Sequence, residues 1–260
     1  MDAVAISGLS FKYPGTEDAI LEDITLNIET GEFVCVLGQS GCGKSTLLRL
    51  LAGLEIPSSG SIQIDDQSVT AGNLDTGVVF QDYGLFPWLT AGENIMLALE
   101  QKYPSLKKSE RKQKALDMLA RVDLPQSVFN KLPKELSGGM QQRCAIAQTL
   151  SIQPSMLLMD EPFGALDAIT RARLQDLVRE IRVSQTVDPP TVVFVTHDVD
   201  EALLLASRII VLGQKPSHII YDMDMHGKEF NRESLYGSKR AVEARTTLVN
   251  TINDNVSERL

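Results

Sequence analysis

The stretch FVCVLGQSGCGKSTLLRLLAG, residues 33–53, sets an apolar run, a glycine-rich turn and a leucine-rich segment end to end. FVCVL (33–37) is apolar at every position and only five residues long, the pattern of a central strand covered on both faces. The turn, Gly38-Gln39-Ser40-Gly41-Cys42-Gly43 and then Lys44-Ser45-Thr46, matches G-x-x-x-x-G-K-[ST] between a predicted strand and a predicted helix that Gly53 ends. Glycines let such a backbone curl until several N–H groups point inward at phosphate oxygens. The helix N-terminus behind them adds partial positive charge. Lys44 can reach the outer phosphates, and the hydroxyl of Ser45 can ligate Mg²⁺. A glycine-rich turn that binds nothing is the competing reading, and the flanking strand and helix weigh against it. Cys42 has two readings: a small spacer that permits the curl, or a thiol of lowered pKa at a helix start.

Working outward, Ile20, Ile24, Leu26 and Ile28 alternate as in a half-buried strand. SSGSIQID (58–65) reads as a turn and a strand, and GVVFQ (77–81) as a buried strand. From about Ala91 to Ile152 the pattern turns helical. The basic cluster within KKSERKQKALDMLARV (107–122) is interleaved with Glu110 and Asp117, as on a solvated helix face. Strand–helix alternation resumes with SMLLMD (155–160), a helix to about Ser184, TVVFVT (191–196), a helix near 198–206 and RIIVLG (208–213). Such alternation implies a mostly parallel sheet flanked by helices, an α/β fold interrupted by a helical insert. The expected division is a core of 1–85 with 151–225, an insert of 86–150, and a tail of 226–260 that forms an amphipathic helix from about Ser238.

SMLLMDE (155–161) ends an apolar strand in two carboxylates, at the sheet edge where open α/β folds bind ligands. Asp160 there would face the metal of Ser45, and Glu161 the attacking water. The net charge of −9 and pI near 4.9 disfavour nucleic acid as a partner. Three cysteines without CxxC spacing exclude a disulfide framework or zinc cluster, and Cys35 and Cys144 read as small core residues in a reducing compartment. The N-terminus shows no secretory signal, and the apolar runs of about five residues fall far short of the ~20 that span a membrane.

LSGGMQQR (136–143) resembles the signature motif of ABC ATPases, and the family's other motifs follow in order. Tyr13 resembles the adenine-stacking aromatic, Gln81 the Q-loop glutamine, Ala165-Leu166-Asp167 the D-loop, and His197 the switch histidine. Read without the resemblance, Ser137 is a helix N-cap ahead of QQRCAIAQTL. The resemblance covers roughly residues 3–215 and implies a P-loop NTPase core with an N-terminal antiparallel β part and a helical insert. It implies ATP and Mg²⁺ as cofactors, with Ser45, Gln81 and Asp160 at the metal. By the resemblance, Lys44, Ser45, Thr46, Gln81, Asp160, Glu161 and His197 would act in cis, Glu161 as general base and His197 at the γ-phosphate, while Ser137, Gly138, Gly139 and Asp167 would act on the nucleotide of a second cassette paired head to tail.

DYGLFPWLTAGENI (82–95), DEPFGALDAITR (160–171) and THDVDEAL (196–203) resemble bacterial importer cassettes, nearest to the nitrate, sulfonate and taurine branch. That implies a motor on the cytoplasmic face of a cell membrane, with permease subunits and a solute-binding protein as partners. Phe86, Pro87 and Trp88 either line the groove that receives the permease or pack inside the insert. Thr76 replaces the branch's usual arginine, Gln148-Thr149 its Arg-Ala, and residues 213–225 are less basic than its tails, which leaves the solute open. An exporter motor, or a non-transport ABC ATPase acting on DNA or ribosomes, are the alternatives. One cassette, no sustained heptads and net acidity weigh against the latter.

Overall fold

A computed structural model describes residues 2–69, 73–183, 189–227 and 230–257. Its elements run β1 (Asp2–Phe11), β2 (Leu21–Glu29), β3 (Phe33–Leu37), α1 (Lys44–Leu51), β4 (Ser59–Ile64), β5 (Gln67–Ser68) and β6 (Thr76–Val79). There follow α2 (Ala91–Lys102), α3 (Lys108–Arg121), two 3₁₀ turns, α4 (Gly138–Ser151), β7 (Met156–Asp160) and α5 (Ala168–Val183). The chain ends with β8 (Thr191–Val195), α6 (Val199–Leu205), β9 (Arg208–Leu212), β10 (Ile219–Asp224), α7 (Arg232–Gly237) and α8 (Lys239–Ser257). Two compact units result, residues 1–72 with 188–260, and residues 73–187.

In the first unit, β2-β1-β4-β5 form a wholly antiparallel sheet, the β part expected at the N-terminus. The alternation of β2 breaks where Asp23 takes a left-handed backbone (φ 49) and the register with β1 slips between Leu9↔Ile24 and Phe11↔Leu21. The bulge turns Leu21 inward, so the strand begins there and Ile20 precedes it. A second set of strands pairs in the order β10-β9-β3-β8. β3 runs parallel to both neighbours, with Cys35 opposite Phe194 on one side and Ile209 on the other. All five residues of β3 and of β8 are buried, as their apolar runs require. The antiparallel β10 was not foreseen, because Asp222 and Asp224 give it a poor strand composition. Arg208 on β9 compensates with a two-pronged pair to Asp222, at 2.8 and 2.6 Å.

In the second unit β6 and β7 pair in parallel, and α2, α3 and α4 pack on one another. α3 buries Ala115 and Leu119 and leaves its lysines to solvent, as the solvated-face reading requires. Thr149, a departure from the importer pattern, is buried and donates to the carbonyl of Val78 at 3.0 Å, fastening α4 to β6. Cys35 and Cys144 are both fully buried. Among the described residues no helix is long and apolar enough to cross a membrane.

Candidate functional site

The loop Gly38–Gly43 joins the end of β3 to the start of α1. Two of its glycines are dictated by space: a Cβ on Gly38 would lie 2.7 Å from the sulfur of Cys42 and 2.9 Å from the carbonyl of Leu212. At Gly43 the backbone is left-handed (φ 106), and a Cβ would strike Leu21 at 2.9 Å. Gly43 is also the N-cap of α1 and offers no side-chain acceptor to its first turn, whose N–H groups and dipole suit an anion. Lys44 is only 5% exposed, and its ammonium donates to the carbonyls of Gly38 (2.9 Å) and Gln39 (3.0 Å). Gln39 is half-buried, while Ser40 and Gly41 stand exposed at the rim. The hydroxyls of Tyr13 and Thr46 meet at 3.2 Å, and the Tyr13 ring lies edge-on to Phe11 at 4.9 Å. With Leu54 and Ile56, Tyr13 lines an open cleft of about 490 Å³.

Burial pushes the Cys42 thiol up, more than Lys44 and the backbone N–H groups pull it down. The reading of a thiol with lowered pKa is therefore overturned, and Cys42 is the small spacer.

β8 pairs Val195 with Val36 of β3, so Thr196 and the phosphate-type loop leave from one edge of the first unit. His197 is exposed, between two fixed neighbours. Thr196 donates to the buried Glu201 at 2.8 Å and accepts from the N–H of Asp198 at 3.0 Å. Asp198 caps α6 by accepting from the N–H groups of Asp200 and Glu201.

In the second unit, β6 and β7 pair Val79 with Met159, which brings Gln81 and the Asp160-Glu161 pair out at one edge. Asp160 is 7% exposed, Glu161 is half-buried with a left-handed backbone (φ 44), and Gln81 is exposed. Ser137 is the N-cap of α4 and accepts from the N–H of Met140 at 3.3 Å, as its sequence context predicts. A Cβ on Gly139 would sit 3.3 Å from the carbonyl of Ala165, and one on Gly138 would sit 3.0 Å from the hydroxyl of Tyr83. The helix tip thus touches both the segment after Gln81 and the Ala165-Leu166-Asp167 turn. Asp167 is exposed and accepts from the N–H groups of Thr170 (3.0 Å) and Ile169 (3.1 Å); the Thr170 bond leads in holding its carboxyl below the ordinary value.

Among the described residues no three His, Cys, Asp or Glu cluster as a metal cage. The donors named from sequence, the hydroxyl of Ser45, the amide of Gln81 and the carboxylate of Asp160, suit Mg²⁺, which takes one or two protein oxygens and fills its shell with phosphates and water. Asp160 at a strand end, nearly excluded from solvent, has the chemistry of such a ligand.

Trp88 is 71% exposed and Phe86 39%, their rings 5.5 Å apart, so the core-packing reading fails for Trp88. What holds this loop was missed from sequence. Asn94 on α2 is fully buried; its side chain accepts from the N–H of Phe86 (2.8 Å) and donates to the carbonyls of Phe86 (3.2 Å), Leu89 (3.1 Å) and Thr90 (3.0 Å). Its one available signal was a polar residue at a helical core position, three residues before the apolar Leu97 and one before Ile95.

A family model described as "ABC transporter" matches residues 21–164. The chain is 45% identical to the nitrate import ATP-binding protein NrtD of Synechococcus elongatus over 213 residues, 82% of this chain and 76% of that protein. It is 44% identical to the aliphatic sulfonates import ATP-binding protein SsuB of Bacillus subtilis over 224 residues, 86% and 84% of the two chains. The bicarbonate transport ATP-binding protein CmpC of Synechococcus elongatus is 47% identical over 216 residues, yet the chain spans only 32% of its length. Among solved structures, a dimeric, post-hydrolysis state of the ATP-binding cassette MJ0796 bound to ADP and Pi superposes with a TM-score of 0.78 at 34% identity, covering 85% of this chain and 98% of that one.

Proposed function

The chain belongs to the ABC transporter family, and from that premise we propose that it is the ATP-hydrolysing subunit of an importer for a small anionic solute. The observation that carries this is Lys44, an ammonium almost wholly shielded among loop carbonyls, at the foot of a helix whose N-terminus has no side-chain cap. Burial of a cation at a helix start is costly until an anion arrives, and a nucleotide triphosphate supplies one. The names of its relatives add the solute class, since nitrate, bicarbonate and aliphatic sulfonates are all anions.

In this reading the loop Gly38–Thr46 cradles the phosphates and Tyr13 stacks on adenine. Ser45, Gln81 and Asp160 hold Mg²⁺, which neutralises charge on the outer phosphate oxygens when bound. Glu161, directly after the end of β7, orients and deprotonates the attacking water. His197 contacts the γ-phosphate. Ser137, Gly138, Gly139 and Asp167 grip the nucleotide of a second cassette, most simply a second copy of this chain. The MJ0796 dimer is the support for that pairing. The exposed Phe86–Trp88 loop is the docking surface for a membrane permease, which holds the motor at the cytoplasmic face, and a solute-binding protein completes the system.

Two substitutions test the reading. Lys44→Ala is expected to weaken Mg-ATP binding at least tenfold in a titration, because a buried phosphate charge loses its partner; unchanged affinity removes the P-loop argument. Glu161→Gln is expected to bind ATP normally and to lose hydrolysis by on the order of a hundredfold or more. Turnover near the wild-type rate would contradict the role of Glu161.

A further inference from the structure

The last helix, α8, is fastened at two places, and both lie behind loops that the nucleotide reading uses. At its C-terminal end the side-chain oxygen of Asn255 accepts from the N–H of Gln214 at 2.8 Å. The approach is close: a Cβ on the adjacent Gly213 would lie 3.3 Å from that same oxygen and 2.9 Å from Ile220. Four residues on, the fully buried Ser217 places its hydroxyl between the carbonyl of Gly213, at 2.9 Å, and the carbonyl of Cys42 in the phosphate loop. The backbone of Ser217 is itself locked, donating to Ile20 and accepting from Glu22, each at 2.9 Å. A continuous chain of contacts therefore runs from α8 through Gln214, Gly213 and Ser217 to Cys42.

Its consequence follows from the planarity of the peptide. The carbonyl of Cys42 and the N–H of Gly43 belong to one rigid trans unit and point in opposite directions. By drawing that carbonyl inward, the Ser217 hydroxyl turns the Gly43 N–H outward, where an anion on the loop would receive it.

The second fastening is Arg245. Its Nε donates to Asp200 at 2.6 Å, its guanidinium also donates to the carbonyl of Leu235 at 3.3 Å, and it lies 5.4 Å over the ring of Tyr236. Asp200 in turn donates its N–H to Asp198, the cap of α6 and the residue directly after His197. The same helix thus holds the back of the His197 loop.

We propose that Ser217 and Asn255 are positioning residues for the phosphate loop and Arg245 a positioning residue for the His197 loop, so that the C-terminal helix sets nucleotide affinity and turnover through separate contacts. This rests on the assignment of those loops to ATP. The two anchors then differ in what they control: the phosphate loop binds ATP in the ground state, whereas a group at the γ-phosphate acts mainly as bonds to it change.

Mg-ATP affinity and steady-state hydrolysis of the full chain decide the matter. Ser217→Ala and Asn255→Ala are each expected to raise Kd and KM roughly three- to tenfold with kcat within about twofold, the scale of one lost hydrogen bond. Because they act through one chain of contacts, the double variant is expected to show little more than the larger single effect. Asn255→Asp keeps the acceptor oxygen and is expected to restore wild-type affinity. Arg245→Gln is expected to lower kcat about three- to tenfold at nearly constant KM, and Arg245→Lys to recover part of it. Additive Ser217 and Asn255 effects, or losses in kcat and KM that merely follow melting temperature in all variants, would overturn the proposal. So would wild-type kinetics throughout, provided Lys44→Ala abolishes binding in the same assay. If Lys44→Ala instead binds ATP normally, it is the ATP reading itself that has failed. Should Ser217→Ala not fold, the half-exposed Asn255 pair, Ala against Asp, still decides the phosphate-loop arm.

Discussion

At the scale of single residues, Glu161 carries a cost that its chemistry accounts for. A left-handed backbone (φ 44) at a glutamate costs on the order of 1–2 kcal/mol relative to glycine. Glu161→Gly and Glu161→Ala both delete the carboxylate, but only glycine relieves the backbone. The glycine variant is therefore expected to be the more stable of the two by about 1 kcal/mol in urea unfolding, with hydrolysis absent from both. Equal stabilities would mean the strain is taken up elsewhere. Cys144 gives a second residue-level expectation. Desolvation pushes its thiol from 9.0 up to about 12, so the folded state keeps the proton while the unfolded chain releases it. Its contribution to stability is complete below pH 9 and is lost as pH rises from 9 toward 12. Denaturant titrations across that window are expected to show a shallower alkaline loss for Cys144→Ala than for the native chain; identical slopes would refute it.

At the scale of elements, the Phe86–Thr90 loop stands on α2 through Asn94 and a capping box. Thr90 accepts from the N–H of Glu93 and Glu93 from that of Thr90. Asn94→Leu keeps volume but leaves one N–H and three carbonyls without this partner. It is expected to cost about 2–4 kcal/mol in unfolding free energy and to abolish capture of the permease in a pull-down. Unchanged capture would detach the loop from permease docking. The elements that sequence made legible are those whose burial is written into composition. FVCVL is apolar at every position, and SMLLMD and TVVFV hold the apolar runs MLLM and VVFV; each run is a fully buried strand segment, as read. Ser137 was legible as a cap because capping is a local bond. What escaped depends on pairing and backbone geometry that composition does not carry. β10 forms on β9 with Arg208 answering its acids, and Leu21 faces inward because of a bulge at Asp23. Asn94 matters for a loop lying four to eight residues before it. The motifs behind the proposed site could be named from sequence because phosphate loops and strand-end carboxylates are contiguous stretches. The left-handed backbone of Glu161 was not, because no residue preference marks it.

At the scale of the whole molecule, one chain carries two helix starts to which the proposed function gives phosphate, the loop before α1 and the Ser137-capped start of α4, in different compact units. If both served one nucleotide within a single chain, a defect in either would be incurable by mixing. In a head-to-tail pair each nucleotide instead takes its phosphate loop from one chain and its Ser137 tip from the other. Lys44→Ala disables the first kind of surface, and Ser137→Arg, at an exposed position that a long side chain can occupy, disables the second. Either variant alone spoils both sites of its homodimer. A mixed pair combines one site that is defective on both sides with one that is intact on both. Statistical pairing makes half of the dimers mixed, so an equal mixture is expected to regain roughly a quarter of the native hydrolysis rate. Melting curves of the separate variants establish that each is folded before mixing. A mixture no more active than its components would show that the two tips do not meet across a dimer, and would leave the Ser137 helix start as nothing more than a cap.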